Sequence, residues 1–325
     1  MSKVALITGI LGQDGSYLAD LLLEKGYNVH GIVRKESNKN NEKLWRIKKN
    51  IKNLTLHEDS LDSTKSFKKI LEKIKPTEVY HLAAQGVDGH SFNNEFYTFE
   101  NNINTTHIII SSLKNFDNKI KFFFAGSSEM YGNISTYPQD ESAMFDPISA
   151  YGISKLTSYH LVKSYRINFN FFGCSAILFN HESPRRDMYF VTRKISNGVA
   201  LIKKGLKKNI NLGNVNSSRD WGHAKDYVNA MWLMLQKEKP EDYVIGTGKK
   251  HTVLEFAKIA FNHVGLNHLD FINIDKNLVR DVESDNRIAN SAKAIKNLDW
   301  KPKYNFEDLV CDMVDSDLKL IENNK

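Results

Sequence analysis

Four side chains between residues 127 and 155 have the types and spacing of an acid–base site. Ser127 and Glu129 directly follow an apolar run at 121–126, which predicts a buried strand with these two residues at its carboxyl end. Tyr151 and Lys155 are four residues apart in a predicted helix at 150–166, so they share one helix face. Because a nearby ammonium group favours the phenolate, this pair predicts a base that removes a hydroxyl proton.

The Tyr–Lys spacing is weak evidence by itself. The chain contains 13 tyrosines and 45 lysines and arginines, so such a pair also arises by chance. Ser149, directly before the predicted helix, is a suitable N-cap and strengthens the helix prediction. Whether the pair forms an active site therefore depends on the elements around it.

The N-terminal segment has the order strand, glycine turn, helix. An apolar, β-branched run at 3–8 leads directly into Gly9, Gly12 and Gly15, and a helix-like segment follows. Glycines at such a turn let the backbone approach a pyrophosphate, whose charge the helix N-terminus stabilises. The segment predicts a dinucleotide-binding turn, and an ordinary glycine-rich turn is the alternative.

The residues after the second predicted strand, 28–33, indicate which dinucleotide would bind. An acidic residue here holds the ribose hydroxyls of NAD, whereas a basic residue suits the 2′-phosphate of NADP. The chain has Arg34 and Lys35 and only then Glu36, which favours NADP. The alternative is that these are ordinary surface charges.

Alternating strands and helices predict an α/β fold with a doubly wound parallel sheet of the Rossmann type. Predicted strands lie at 3–8, 28–33, 53–57, 78–84, 121–126 and 172–178, and predicted helices at 63–74, 97–115 and 150–166. We expect 1–178 to form the dinucleotide-binding domain, with part of 215–245 returning to it. Residues 179–325 are expected to form mainly a smaller, interleaved substrate-binding domain.

Composition excludes several classes of protein. The chain has 325 residues, of which 41% are hydrophobic, and no apolar run long enough to span a membrane. Its net charge of +7 is spread over many segments without a nucleic-acid motif, so it suits a small anionic substrate better than nucleic acid. Cys174 and Cys311 lack metal-ligand spacing and indicate a reducing, cytoplasmic setting with no metal site.

Several motifs together resemble the extended short-chain dehydrogenase/reductase superfamily, and within it the GDP-mannose 4,6-dehydratase family. The resemblance covers essentially the whole chain. The motifs lie at 8–18, 128–132, 178–186, 190–195, 219–228 and 241–244. Those around 181–186 and 221–227 are specific well beyond a shared fold.

The resemblance implies roles for individual residues. The catalytic hydroxyl, acid/base, redox base and lysine fall on Ser127, Glu129, Tyr151 and Lys155. The NADP contacts fall on Thr8, Gly9, Gly12, Gln13, Asp14, Arg34, Leu61, Ala83, Ala84, Gln85, Lys155, His181 and Arg186. The nucleotide-sugar contacts fall on Gly86, Ser128, Asn180, Lys194, Arg219 and Arg280. Arginines suit a diphosphate because their forked N–H groups match its oxygens, although a surface salt bridge is the alternative role for Arg219.

The implied activity is a GDP-sugar 4,6-dehydratase that uses NADP in an internal redox cycle and releases a 4-keto-6-deoxy sugar and water. An epimerase or oxidase acting at C4 of a GDP-sugar is the alternative on the same scaffold. A non-catalytic NADP(H)-binding regulatory protein is a more remote one, since Glu129, Tyr151 and Lys155 are all present. A homo-oligomer, dimer or tetramer, is expected, with the polar segment 36–46 either mobile or ordered by a neighbouring subunit.

Three positions depart from the family pattern. Ser127 replaces the usual threonine and keeps the hydroxyl, whereas Ser60 replaces an aspartate that touches adenine. Residues 86–90 read Gly-Val-Asp-Gly-His where the family has a bulkier Ser-His-Val sequence near the sugar. The smaller Gly86 predicts a GDP-sugar larger than GDP-mannose, such as GDP-manno-heptose or GDP-N-acetylglucosamine.

Overall fold

The computed structural model describes residues 3–34, 43–85, 95–134, 136–279 and 287–323. A seven-stranded parallel sheet forms its centre and confirms the predicted Rossmann-type α/β class. Across the sheet the strands are Tyr243–Ile245, Gly173–Leu178, Lys121–Ala125, Glu78–His81, Val4–Thr8, Asn28–Val33 and Leu54–Glu58.

Helices cover both faces of this sheet. All the α-helices in the described part of the chain, including three that pack away from the sheet, are Gln13–Glu24, Thr64–Ile74, Glu95–Phe99, Thr105–Phe116, Ala150–Phe169, Val191–Lys203, Ala224–Gln236, Val253–His263, Ala292–Leu298 and Phe306–Asn323. Side chains of a strand alternate between faces, so Ala5 and Ile7 pack in one core while Leu6 packs in the other. Parallel sheets are buried in this way on both faces.

Helix Ala150–Phe169 carries the Tyr–Lys pair and begins as predicted. The Ser149 hydroxyl accepts a hydrogen bond from the amide of Gly152 at 3.0 Å, which confirms the N-cap. The helix continues three residues beyond the predicted end at 166. Its first turn therefore lies at the carboxyl edge of the sheet, beside the strand that precedes Ser127.

Two further predicted boundaries were wrong. The strand predicted at 78–84 ends at His81, after which Leu82 and Ala83 donate to the backbone and hydroxyl of Thr8. The helix predicted at 97–115 begins earlier and contains a π turn at Glu100–Asn104. The π turn places Asn102 where its side chain bonds the backbone of Gln85, a tertiary contact that local sequence does not encode.

A second core lies outside the sheet. Trp221, Phe256 and Phe261 pack in it between helices Val191–Lys203, Val253–His263 and Phe306–Asn323. Three small sheets accompany it, formed by His181–Glu182 with Gly222–His223, Ser218–Asp220 with Lys250–Thr252, and Ile210–Leu212 with Ile272–Ile274. The division of the chain at residue 178 stays a prediction, although strand Tyr243–Ile245 joins the large sheet.

The described residues also bear on membranes and cysteines. None of their helices combines the length and the apolar character needed to cross a membrane.

Cys174 is fully buried, and burial raises the pKa of its thiol, so this side chain belongs to the core.

Candidate active site

The glycine turn packs tightly against the end of a neighbouring strand. Gly9 has a φ of +75°, and a Cβ added there would lie 2.7 Å from the amide nitrogen of Ala83. The Gly12 amide donates to the Gly9 carbonyl at 2.9 Å, and helix Gln13–Glu24 begins at the next residue. Only glycine fits this close approach, and the free helix N-terminus beside it suits a phosphate group. The turn thus fits a dinucleotide.

Asp14 and His181 form an ion pair beside this turn. The Nε2 atom of His181 lies 2.8 Å from Oδ2 of Asp14, and its Nδ1–H donates to the Phe179 carbonyl at 2.8 Å. Burial acts to raise the pKa of Asp14, but the charge and hydrogen bond of His181 outweigh it and hold this pKa below its usual value. Burial likewise acts to lower the pKa of His181, and Asp14 raises it.

The loop that carries His181 is fastened to the same turn. The Gln13 side chain donates to the His181 carbonyl at 3.0 Å and accepts from the Ser183 hydroxyl at 2.7 Å. Arg186 lies 3.1 Å from the carboxylate of Glu182 and stacks 3.4 Å from the ring centroid of Phe190. The structure thereby brings together predicted cofactor residues from the two halves of the chain.

The remaining predicted cofactor residues follow the carboxyl ends of the strands. Gln85 donates from its backbone to Asn102 at 2.7 Å, and Ala83 donates to the Thr8 hydroxyl at 3.3 Å. Leu61 is buried, with a φ of 56°, after strand Leu54–Glu58. Ala84 lies between Ala83 and Gln85 in the same segment. All of them lie along the edge where doubly wound sheets bind ligands.

Arg34 follows strand Asn28–Val33, at the position that distinguishes NAD from NADP. Its guanidinium is exposed and donates to the Tyr97 hydroxyl at 3.0 Å and to Asn101 at 2.8 Å. Lys35 and Glu36, and most of the segment 36–46, lie outside the described residues. The structure therefore places one of the two cations on which the NADP prediction rests.

The predicted catalytic residues converge at the end of strand Lys121–Ala125. Ser127 caps a short 3₁₀ helix, Ser128–Met130, by accepting the amide of Glu129 at 3.2 Å. The Ser127 side chain also lies near Tyr151, close enough to influence the pKa of its phenol. Lys155 is buried, and its Nζ donates to the Ala125 carbonyl at 2.8 Å. The same Nζ atom lies 5.7 Å from the ring centroid of Tyr151.

The ionisation of Tyr151 differs from the sequence-based expectation. Burial raises the pKa of its phenol, and the charge of Glu129 adds to that effect. The hydrogen bond from Ser127 and the charge of Arg186 oppose it without outweighing it. Burial also lowers the pKa of Lys155 to about 8. In the ligand-free site, burial and the charge of Glu129 thus hold the pKa of the phenol above its usual value.

Two arginines that contact residues of the candidate site escaped the sequence analysis. Arg287 lies 2.8 Å from Oε1 of Glu129, although the two are far apart in the sequence. Arg46 is buried and donates to the Leu11 carbonyl at 3.0 Å, the Arg185 carbonyl at 2.8 Å and Asp187 at 2.6 Å. Arg46 thus ties the glycine turn to the His181 loop. Neither arginine lies in a motif, so no local signal identified them.

The predicted nucleotide-sugar residues are placed less completely. Asn180 accepts the Gly222 amide at 2.9 Å next to His181, and Ser128 is buried in the 3₁₀ helix. Arg219 donates to the Ser218 carbonyl at 2.7 Å, and burial lowers the pKa of the half-buried Lys194. Gly86 and Arg280 lie outside the described residues. The structure thus places four of these six predicted residues.

Known relatives identify the family of this chain. The family model for GDP-mannose 4,6 dehydratase matches residues 6–313. The chain belongs to this family. It is 46% identical to GDP-mannose 4,6 dehydratase 1 of Arabidopsis thaliana, with 99% of this chain and 92% of the relative covered. It is 43% identical to the Homo sapiens GDP-mannose 4,6 dehydratase, with 99% and 93% covered.

Solved structures of sugar-nucleotide enzymes share the fold. A UDP-glucose 4-epimerase from Thermotoga maritima aligns with a TM-score of 0.86 at 24% identity, covering 98% of this chain and 99% of that one. A dTDP-glucose 4,6-dehydratase from Bacillus anthracis, in complex with NAD, aligns with a TM-score of 0.85 at 20% identity, covering 99% and 98%. At these identities the likeness supports the fold alone.

Family membership makes the chain an enzyme of the hydro-lyase class. The described residues contain no group of three or more His, Cys, Asp or Glu side chains that could hold a metal ion.

Proposed function

We propose that this chain is a GDP-sugar 4,6-dehydratase that uses NADP. The observation that carries the proposal is the placement of a carboxylate, Glu129, together with Ser127 and Tyr151 at one strand end. Oxidation or epimerisation at C4 requires the tyrosine and lysine but no acid/base directed at C5 and C6. A dehydratase requires all of them.

The side chains divide the reaction between C4 on one side and C5 and C6 on the other. Tyr151 takes the proton of the C4 hydroxyl, and the resulting ketone acidifies the hydrogen at C5. Glu129 takes the C5 proton, and Glu129 with Ser127 assists the departure of the C6 hydroxyl as water. A bound NADP⁺ supplies the oxidant for C4 and, once reduced, the reductant for C6. The whole cycle needs no external oxidant.

Lys155 supports this cycle through its charge and its donors. Its pKa of about 8 leaves it mainly protonated near neutral pH. An ammonium group has three N–H donors, and the bond to the Ala125 carbonyl uses one of them. We assign the others to the cofactor ribose and to the Tyr151 hydroxyl, which places positive charge beside the phenol as it loses its proton.

Positively charged side chains at the two ends of the crevice support binding of NADP and of a GDP-sugar. Arg34 lies at the end of strand Asn28–Val33 and Arg186 near Asp14, positions that suit the phosphates of NADP. Lys194, Arg219 and Arg280 are the cations proposed for the GDP diphosphate. GDP-mannose and larger GDP-sugars remain the candidate substrates, because the distinguishing segment 86–90 lies outside the described residues.

Product analysis in deuterated water tests the proposal. The purified enzyme is incubated separately with GDP-mannose, GDP-manno-heptose and GDP-N-acetylglucosamine, and the products are analysed by mass spectrometry. We expect one of them to lose a water molecule and to gain one deuteron at C5. Cofactor released from the enzyme by denaturation is identified in the same way, and NADP or NADPH is expected.

Each result has a distinct meaning. A product formed without loss of water would assign the chain to the epimerases or oxidases that act at C4. Clearly faster turnover of GDP-mannose than of the larger sugars would contradict the prediction drawn from Gly86. Recovery of NAD would contradict the role given to Arg34. The homo-oligomeric state and the cytoplasmic location stay predictions, and light scattering of the purified protein tests the former.

A further inference from the structure

Glu129 is held by an arginine that no sequence motif includes. The Nη2 atom of Arg287 lies 2.8 Å from Oε1 of Glu129, and the two side chains are 7% and 27% exposed. The arginine end of this pair is buried, whereas the carboxylate end opens to the crevice that contains Tyr151. Charge-assisted pairs of this length fix geometry as well as charge.

The backbone next to Arg287 is fastened on two sides. Ile288 donates to the side-chain oxygen of Gln139 at 2.8 Å and accepts the Gln139 amide at 2.8 Å. Ala289 donates to the carboxylate of Asp220 at 3.1 Å. Gln139 and Asp220 are themselves almost fully buried. The backbone that carries the Arg287 side chain is therefore held in place, in part by strand Ser218–Asp220.

The guanidinium makes few other contacts. Its Nε and Nη1 atoms are buried and have no hydrogen-bond partner among the described residues. Arg46, which is equally buried, directs all three of its nitrogens to acceptors in the loops that it connects. A buried donor without a partner is unfavourable, so the position of this guanidinium is not explained by its own hydrogen bonding. Among the described residues, the polar side chain that it contacts is Glu129.

We propose that Arg287 is a positioning residue for Glu129 in the dehydration half of the reaction, an inference that rests on the proposed function. The guanidinium keeps the carboxylate aimed at C5, so that it can take the C5 proton. The same fixed orientation lets Glu129 pass that proton to the departing C6 hydroxyl. Removal of the C4 hydroxyl proton by Tyr151 does not use this pair.

The test separates the two halves of the reaction. In Arg287→Met the carboxylate loses its partner and can turn toward solvent, and misplacement of a catalytic group by about 1 Å costs about 10²-fold in rate. We expect kcat for water loss and the exchange of C5 hydrogen with deuterated water to fall by about that factor. KM for the GDP-sugar is expected to stay within about threefold of wild type, because the interaction matters in the transition state and not in the bound ground state. The rate at which oxidation of the sugar C4 reduces the bound cofactor should also stay within about threefold.

Two further variants serve as controls. Arg287→Lys keeps the charge and should recover a substantial part of water loss, which a general folding defect would not allow. Arg166→Met removes an arginine paired with Asp242 at 2.7 Å, away from the catalytic residues, and should leave the ratio of C4 oxidation to water loss unchanged. Unfolding midpoints of all variants show how much of each effect comes from stability.

The outcomes distinguish this inference from the proposed function. If wild-type enzyme dehydrates a GDP-sugar while Arg287→Met does so at a similar rate, the role of Arg287 is wrong and the function stands. Equal loss of C4 oxidation and water loss in both Arg287 variants would also overturn it. Absence of water loss in the wild type with every sugar would overturn the function and this inference together.

Discussion

Two arginine–carboxylate pairs in this molecule have the same chemistry and different surroundings. Arg193, on helix Val191–Lys203, pairs with Asp317 of helix Phe306–Asn323, and both side chains are 0% exposed. Ser196 also donates to Asp317, at 2.7 Å. In the pair between Arg287 and Glu129 the carboxylate is 27% exposed.

The difference shows how one pair type serves two purposes. A carboxylate sealed between helices cannot reach a ligand, so the Arg193–Asp317 pair contributes only to holding the second core together. A carboxylate that is open on one side can exchange a proton with a substrate while its buried arginine keeps it oriented. The exposure of the carboxylate, rather than the ion pair itself, therefore distinguishes a pair that stabilises the fold from one that can react with a substrate.

The largest expected effect is at the open pair. Glu129→Gln keeps the shape of the side chain but removes the acid/base, so water loss should slow by about 10²–10⁴-fold. Its unfolding midpoint in urea is expected to stay close to wild type, because Gln can still accept a hydrogen bond from Arg287. Mass spectrometry of the product and urea unfolding test both parts. Dehydration at a near-normal rate would remove Glu129 from the mechanism.

The sealed pair should show the opposite pattern. Asp317→Ala leaves Arg193 buried without its partner, and breaking a buried pair costs about 3–5 kcal/mol of unfolding free energy. Activity per folded molecule should change little, since neither residue belongs to the candidate site. Urea unfolding gives the stability, and turnover under conditions where the variant is folded gives the activity.

A double variant provides the control for this prediction. Replacing both partners, as in Arg193→Met with Asp317→Leu, removes the unpaired charge and should restore most of the lost stability. A double variant as unstable as Asp317→Ala would show that packing, rather than the uncompensated charge, governs this region. A loss below about 1 kcal/mol in the single variant would contradict the sealed description, since exposed pairs contribute that little.

The pair of Asp14 and His181 lies between these extremes, with side chains 21% and 11% exposed. Burial acts to lower the pKa of His181, but Asp14 raises it above the ordinary 6.5. Protonated His181 therefore stabilises the fold below that ordinary value, and the contribution is lost as pH rises through the raised pKa. Relative to His181→Gln, wild type should be more stable by about 1 kcal/mol near pH 6 and lose this advantage in alkaline solution.

Urea unfolding of cofactor-free protein over this pH range measures the effect. Asp14→Asn should abolish the same pH dependence, because it removes the charge that raises the pKa of His181. In acidic solution, ionised Asp14 stabilises the fold until the pH falls through its lowered pKa, where this contribution to stability is lost. A stability difference that is constant with pH would show that the pair is not ionised in the fold.

Local pattern was enough for much of the fold. The glycine turn, the strand before it and the helix after it were predictable because each depends on neighbouring residues and backbone geometry. The same holds for Ser149, whose cap follows from its place before an apolar helix. The π turn at Glu100–Asn104 was not predictable, since it depends on Asn102 meeting the backbone of Gln85.

The candidate site divides in the same way. The types and spacing of Ser127, Glu129, Tyr151 and Lys155, with the motifs around them, were enough to indicate a dehydratase site. Their partners were not predictable, because Arg287 meets Glu129 through tertiary contacts between segments that are far apart in the sequence.

The sequence by itself determined the α/β class and the glycine turn and indicated the candidate reacting side chains, because these depend on residue type and short-range periodicity. Tertiary structure decided which carboxylate is sealed and which is open, and burial raised the pKa of Tyr151. Burial and distant charges set these properties. Both depend on contacts between segments that only the folded chain brings together.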